Sequence, residues 1–259
     1  MTRKDAVQLE EERLKTSEQT PPPLHERHRA FPAVFENRQH QRVLDVAAGV
    51  GYAASRIDRD YPARMVCNDI APTCLASLRR QNLTTVSYSL DNPQAGFPFA
   101  SGAFDAVIAL ATIEHILQVD EFVAEIHRIL APEGCLYVSA PNYSGLYYLL
   151  PFLWSGRTFH NPLNPDMRYE FYAHVRYFTY QTLLEYIPPF GFVPDTVYLP
   201  LPSESTHYRA MLASRPFKAH LFRLGMSLAY RLSPRWASEP IICFRKSPPS
   251  SLPLRRVFL

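Results

Sequence analysis

The strongest constraint on the fold is a regular alternation of short apolar segments and helix-like segments between Arg42 and Ala140. Strands separated by helices of this length require right-handed crossovers and give a parallel sheet covered on both faces. The pattern therefore predicts an α/β fold with a doubly wound, mostly parallel sheet. Strands are predicted at 42–47, 64–69, 84–90, 104–110 and 135–140, with helices at 52–60, 72–81 and 120–130.

The pattern changes after Pro141. A helix at 180–187 and strands at 193–199 and 240–245 would complete a seven-stranded sheet. Two insertions, at about 143–176 and 202–238, are expected over the carboxyl ends of the strands, where ligands bind in open α/β sheets. Twelve aromatic residues lie between Tyr143 and Tyr180, and this aromatic-rich stretch around the first insertion predicts a lid.

A chain of 259 residues suits one sizeable domain with a lid rather than two globular units. We expect a flexible arm over 1–23, which ends in three prolines, or a weak helix there. A single domain over 24–246 and a flexible tail over 247–259 complete the predicted organisation.

The net charge of +3 is too small to imply a polyanionic partner, and no nucleic acid is expected. The first twenty residues lack an apolar segment, which favours a cytoplasmic location. The longest apolar run, Leu146 to Trp154, is far shorter than the roughly 20 residues that span a bilayer. The four cysteines show no metal-type spacing and are expected to be reduced, and no metal site is predicted.

The first predicted strand leads through Asp45-Val46-Ala47-Ala48-Gly49-Val50-Gly51 directly into a helix. Small residues let the backbone approach a ligand, and the helix N-terminus offers N–H groups to an anion. Asp45 could accept a hydrogen bond from an ammonium group. A nucleotide site, or a tight turn with no ligand, would look the same.

A second acidic residue, Asp69, ends the second predicted strand. A carboxylate there can accept hydrogen bonds from both hydroxyls of a ribose, as in dinucleotide-binding folds. A helix-capping role is the structural alternative. Both classes of cofactor stay open on these two features.

Five ordered sequence blocks between Val43 and Asn142 resemble the core of class I S-adenosylmethionine-dependent methyltransferases, in particular the small-molecule group that includes ubiquinone and menaquinone biosynthesis enzymes. The family turn usually reads Asp-x-Gly-Cys-Gly-x-Gly, so Ala47 and Ala48 depart from it, and Ala47 would be strained if its position needed a positive φ. The blocks are Val43–Gly51, Phe97–Ile108, Thr112–Ile116, Glu125–Gly134 and Ser139–Asn142.

The resemblance implies S-adenosyl-L-methionine as the cofactor and S-adenosyl-L-homocysteine as the product. It also implies roles for matching positions: the methionine end at Asp45, Ala47, Gly49 and Gly51, the ribose at Asp69 and Ile70, the adenine amino group at Asp91, and the sulfonium beside Ala111.

Methyl transfer is an in-line displacement in which the protein aligns the nucleophile and removes its proton. The candidate bases are His115 and His174, since histidine, with an ordinary pKa of about 6.5, is mostly neutral near pH 7. A cleft-edge polar role for His115 and a helix-entry hydrogen bond for His174 are the alternatives. His127 is expected to be part of the scaffold.

The predicted lid mixes aromatic rings with polar groups, which suits an organic acceptor, although the aromatics could equally pack a cap or a homodimer interface. Part of it, Ser155–Pro162, and the segment from His174 are similar to methyltransferases of bacterial glycans and natural products. The sequence therefore predicts O-methylation of a small-molecule or glycan acceptor, with an N- or C-methyltransferase or an inactive cofactor-binding subunit as alternatives.

The second insertion contains a basic amphipathic helix at 215–231. Such a helix can rest on an anionic membrane, or it can pack its apolar face on the domain and keep its arginines in water. The sequence leaves both arrangements open.

Overall fold

The computed structural model describes residues 7–8, 11, 14, 23–30, 33–34, 36, 40–61, 63–92, 95–156, 163, 168–247 and 253–259. Eight strands form one sheet in the order β3-β2-β1-β4-β5-β7-β6-β8. The strands are β1 (Arg42–Asp45), β2 (Arg64–Asn68), β3 (Thr84–Val86), β4 (Phe104–Leu110), β5 (Leu130–Ser139), β6 (Phe192–Leu199), β7 (Ile241–Lys246) and β8 (Arg255–Phe258).

All neighbouring strands are parallel except β7, which runs antiparallel to both β5 and β6. The helices of the described residues are α1 (Tyr52–Asp60), α2 (Pro72–Arg80), α3 (Val119–Ile129), α4 (Leu146–Ser155), α5 (Arg168–Ala173), α6 (Tyr180–Tyr186), α7 (Thr206–Ser214) and α8 (Pro216–Leu232). The predicted doubly wound, mostly parallel α/β fold is confirmed.

Alternation along the strands divides the core between the two faces of the sheet, because successive side chains of a strand point to opposite sides. Val43 of β1 packs on one face with Ile57 of α1 and Leu78 of α2. Leu44 of β1 packs on the other face with Phe122 of α3. Both faces of the sheet are therefore buried under helices, and the loops at the strand ends remain available for ligand binding.

The sheet has eight strands rather than the predicted seven, because the end of the chain, expected to be a flexible tail, pairs with β6 from Arg255 onward. Without β8, the backbone groups of β6 would form an open sheet edge. The guanidinium of Arg255 adds a bond to Glu36 at 2.8 Å, and the N–H of Leu259 donates to the carbonyl of Leu199. Pairing with the edge strand β6 orders the end of the chain as β8. Such a short segment with two arginines has no sequence pattern that predicts this pairing.

Residues 7, 8, 11 and 14 of the N-terminal arm have helical backbone, and the arm contacts α2 through two of them. Leu14 is buried against Ala71 and Cys74. The carboxylate of Glu11 accepts hydrogen bonds from the N–H and the hydroxyl of Thr73, both at 2.9 Å. Glu11 thereby caps the first turn of α2, where the N-cap residue supplies no side-chain hydrogen bond.

No helix among the described residues is long and apolar enough to cross a bilayer. All four cysteines are buried thiols.

Candidate active site

The turn between β1 and α1 adopts the conformation that its glycines allow. Gly49 and Gly51 have φ values of 55° and 92°, in the left-handed region that side chains with a Cβ avoid. Ala47 is not among the described residues with positive φ. The substitution of the family glycine by Ala47 therefore introduces no backbone strain.

The two glycines serve different purposes. A Cβ on Gly51 would lie 3.0 Å from Cδ2 of Leu78 and 3.1 Å from Nε2 of Gln81, so this position also permits close packing of α1 on α2. A Cβ on Gly49 would meet nothing within 4 Å. Gly49 thus borders open space at the carboxyl edge of the sheet.

The start of α1 carries no side-chain cap: Gly51 is its N-cap residue and supplies no side-chain acceptor. The first N–H groups of a helix lack partners within the helix and carry partial positive charge. The N-terminus of α1 therefore offers donors to an anionic group such as a carboxylate.

Asp45 ends β1 and is buried, with 4% of its surface exposed. Burial and, to a smaller extent, the charge of Asp69 raise the pKa of its carboxyl from 3.8 to about 7, against the opposing effect of the N–H of Ala47. A bound ammonium group would favour the ionised form of this carboxyl. Asp45 and the start of α1 together suit the two charges of an amino-acid end.

Asp69, directly after β2, holds the turn in place. Its Oδ2 accepts the N–H of Gly49 and its Oδ1 accepts the N–H of Ala71, both at 2.9 Å. Ribose hydroxyls would therefore meet a carboxylate fixed by two backbone donors. Ile70, next in the chain, is half-buried.

Asp91, predicted to meet adenine, binds the backbone that leads into α3. Its carboxylate accepts the N–H of Leu117 at 2.9 Å and the N–H of Gln118 at 3.0 Å. The structure thus gives Asp91 a capping role that the sequence did not indicate. Its contact with adenine stays a prediction.

Ala111 follows β4 in a left-handed conformation, with φ of 48°. Its N–H donates to the carbonyl of Ser139, 3.0 Å away at the end of β5. A non-glycine residue in this region costs about 1–2 kcal/mol, and such strain concentrates at functional sites. The bend directs the chain into the short 3-10 turn Ile113–His115.

The 3-10 turn and the segment after α5 bring the two predicted bases together. The imidazole rings of His115 and His174 lie 4.7 Å apart between centroids, at an interplanar angle of 74°. Nδ1 of His115 lies 3.1 Å from the carbonyl oxygen of Ala173, and Nδ1 of His174 lies 3.2 Å from the hydroxyl of Tyr143. The sequence treated the histidines as alternatives and gave no sign that Tyr143 joins them.

Glu114 is the most buried group of this cluster, with 1% exposed, and neither of its carboxylate oxygens has a hydrogen-bond partner. Burial raises its pKa from 4.5 to about 8, Arg27 partly opposes the shift, and Glu239 adds to it. Glu114 is therefore a neutral acid near pH 7. Arg27 and Glu239 form a half-buried ion pair at 2.6 Å that the sequence did not suggest.

The backbone of Glu114 anchors the end of the predicted lid. Its carbonyl oxygen accepts the N–H groups of Val175 and Arg176 at 2.9 and 3.1 Å. The lid residues 157–162 and 164–167 lie outside the described residues. The described part nevertheless fixes the histidine pair to the end of β4.

Ligating atoms of Glu114, His115 and His174 all lie within 4.8 Å of one another, an arrangement that could hold a cation. Oε1 of Glu114 is 3.9 Å from Nε2 of His115. A tetrahedral ion with bonds of about 2.1 Å needs its ligand atoms about 3.4 Å apart. The cluster would have to contract to bind one.

Residues 44–138 match the family model described as a methyltransferase domain. The chain is 34% identical over 116 residues to the demethylmenaquinone methyltransferase of Thermus thermophilus, covering 43% of this chain and 52% of that protein. It is 34% identical over 102 residues to the malonyl-[acyl-carrier protein] O-methyltransferase of Geobacter sulfurreducens, covering 38% of each. The chain thus spans about half or less of the length of these relatives.

A crystal structure of an S-adenosylmethionine-dependent methyltransferase from Archaeoglobus fulgidus superposes with a TM-score of 0.56 at 14% identity, covering 85% of this chain and 91% of that one. The sequence match spans β1 to β5, and the structural match extends over most of the sheet. Residues 44–138 thus match a methyltransferase domain in sequence, and the chain has the fold of class I S-adenosylmethionine-dependent methyltransferases.

Proposed function

We propose that this protein transfers the methyl group of S-adenosylmethionine to a hydroxyl of a small organic acceptor, such as a glycan or natural-product intermediate. The observation that carries the proposal is the contact between His115 and His174 beside the carboxyl end of β4. In this fold that end faces the cofactor, so the pair would meet an acceptor next to the transferred group.

Binding of the methionine end is assigned to Asp45, Ala47, Gly49 and Gly51. Asp45 would pair with the ammonium group, and the uncapped start of α1 would receive the carboxylate. Asp69 and Ile70 are assigned to the ribose, Asp91 to the adenine, and Ala111 to the neighbourhood of the sulfonium.

His115 has the tautomer that a general base needs. The carbonyl of Ala173 can only accept a hydrogen bond, so the nearby Nδ1 carries the proton and Nε2 presents a lone pair. His115 is also part-exposed, whereas His174 is buried. We assign proton removal to Nε2 of His115 and orientation of the acceptor to His174 with Tyr143.

The bound cofactor supplies a methyl group on a positively charged sulfur. The methyl group would pass to the acceptor oxygen, the electron pair of the broken S–CH₃ bond would stay on sulfur, and the hydroxyl proton would move to Nε2 of His115. Aromatic side chains of the lid, such as Tyr143 and Tyr177, would contact the acceptor.

The first test is isothermal titration with S-adenosylmethionine, followed by transfer of a labelled methyl group to hydroxyl acceptors. We expect cofactor binding by the wild type. Absence of binding would contradict the proposal, and binding without transfer to any acceptor would favour a cofactor-binding partner subunit.

His115→Gln should lower kcat by about 100-fold or more while leaving cofactor affinity within about twofold, because general bases contribute on that scale. His207→Gln, on the exposed face of α7, is the matched control and should have wild-type turnover. Unchanged kcat in His115→Gln would transfer the role of base to another group.

Chelation separates base catalysis from metal catalysis at the same cluster. Dialysis against EDTA should leave turnover unchanged if His115 is the base. Turnover that is lost with EDTA and restored by a divalent cation would show that Glu114, His115 and His174 hold a metal ion instead.

A further inference from the structure

Helix α8 turns an apolar stripe away from the protein. Amphipathic helices of globular domains normally bury such a stripe. With 3.6 residues per turn, five large apolar side chains share one face of α8, and each is between 59% and 79% exposed. These residues are Phe217, Leu221, Leu224, Leu228 and Leu232.

The opposite face of α8 makes the contact with the domain. Ala219 and Tyr230 are buried there, and the N–H of Ser238 donates to the hydroxyl of Tyr230. The helix is therefore attached by its less apolar side. Its leucine stripe has no partner within the described chain.

Helix α4 presents a second surface of the same kind. Tyr148 is its buried anchor, whereas Trp154 is 94% exposed. Neighbouring apolar side chains are also exposed, and no residue between 143 and 156 is charged. The other exposed ones are Tyr147, Leu150, Phe152 and Leu153.

The segments that flank the two helices contact each other. Just before α4, Ser144 Oγ donates to the carbonyl of Arg235 at 3.0 Å, and Arg235 lies in the 3-10 turn directly after α8. Asn142 Nδ2 donates to the same carbonyl at 2.9 Å. The apolar residues of α4 and α8 thus extend from a shared junction.

The charge beside the stripe has one sign. Between 205 and 238 there are six Arg or Lys residues and no Asp or Glu. Lys218 and Arg231 lie on α8 on either side of the leucines, and both are exposed. A large exposed apolar patch marks an interaction site, and this charge selects an anionic partner.

We propose that α4 and α8 together form a docking surface for an anionic phospholipid membrane. The leucines and the α4 aromatics enter the acyl region, while Lys218 and Arg231 reach the phosphate groups. An apolar face bordered by cations is the pattern of helices that lie in the plane of a bilayer interface. A second copy of the chain would bring the same cations together at the contact, which opposes self-association.

Vesicle sedimentation of the full chain tests this directly. We expect binding to vesicles with about 30 mol% phosphatidylglycerol, little binding to pure phosphatidylcholine, and weaker binding as sodium chloride is raised. Trp154 should report insertion by a blue shift of fluorescence, and the shift should shrink in Trp154→Phe.

Two variants separate the apolar and ionic contributions. Leu221→Gln with Leu224→Gln should weaken vesicle binding about tenfold or more, and Lys218→Glu about fivefold or more. Arg80→Glu, an exposed charge change on α2, is the matched control and should bind as the wild type. Cofactor titration should be unchanged in all variants, which separates this test from that of methyl transfer.

Equal binding to both kinds of vesicle would contradict the preference for anionic lipid. Absence of binding to either kind would contradict membrane docking altogether. Light scattering after gel filtration tests whether a second copy of the chain occupies the surface instead. A dimer that becomes monomeric in the Leu221→Gln, Leu224→Gln variant would also overturn the proposal, in favour of contact between two copies.

Discussion

Helices α3 and α8 are both amphipathic, but α3 turns its apolar face toward the sheet and α8 turns its apolar face toward solvent. In α3, all five large apolar residues, Val119, Phe122, Val123, Ile126 and Ile129, are buried on the sheet. In α8, the corresponding stripe faces outward and the helix is held by Ala219 and Tyr230. An amphipathic pattern thus predicts that a helix has an apolar partner, and only the tertiary structure shows whether the chain itself supplies it.

The sharpest way to break this comparison is to delete one large side chain from each stripe. Phe122→Ala should lower the free energy of unfolding by about 3–5 kcal/mol, since it leaves a cavity in the core. Leu224→Ala should change it by less than about 0.5 kcal/mol. Urea titration monitored by circular dichroism measures both. A large loss in Leu224→Ala would show that α8 buries its stripe within the protein.

A polar group buried in the core should make stability depend on pH. Glu114 has a pKa of about 8 in the folded protein and an ordinary pKa of 4.5. The folded protein therefore holds a proton that the unfolded chain releases between these values, so the contribution of Glu114 to stability is greatest below pH 4.5 and is lost as pH rises through about 8. Thermal unfolding of Glu114→Gln, compared with the wild type at pH 5 and pH 8, should show a smaller decrease.

Glu121→Gln is the control for that measurement, because Glu121 is exposed on α3. It should follow the wild-type pH dependence. Identical curves for Glu114→Gln and the wild type would show that Glu114 ionises normally in the folded protein.

The smallest expected effects come from the glycines. Gly51→Ala should cost about 1–2 kcal/mol, because its φ is 92° and its Cβ would crowd Leu78. Gly225→Ala lies within α8 with nothing within 4 Å, and it should add about 0.5–1 kcal/mol by favouring the helix. The affinity for S-adenosylmethionine, measured by titration, should fall in Gly51→Ala and stay unchanged in Gly225→Ala. Similar unfolding midpoints for the two variants would contradict the difference between the regions.

Sequence reasoning succeeded where local pattern and tertiary role coincide. The apolar pattern predicted the bounds of α1 at 52–60 and of β4 at 104–110, because α1 must bury one face and β4 is covered on both. The cofactor was predicted from motifs in the same region.

The sequence was less informative where contacts between distant segments determine the structure. β8 depends on the open edge of β6, and the contact of His115 with His174 depends on a loop that returns after nearly sixty residues. The capping bonds of Asp91 required the backbone position of Leu117, which no spacing rule gives. The outward stripe of α8 left two arrangements open for the same reason.

The bond between Nδ1 of His115 and the carbonyl of Ala173 has a consequence for the timing of the reaction. Ala173 is the last residue of α5, so the lid itself selects the tautomer that leaves Nε2 able to receive a proton. If His115 is the general base, as proposed, and α5 moves away to admit the acceptor, the imidazole loses that selection. We therefore expect proton removal to wait until the lid has closed, which would make acceptor enclosure and base activation a single kinetic event.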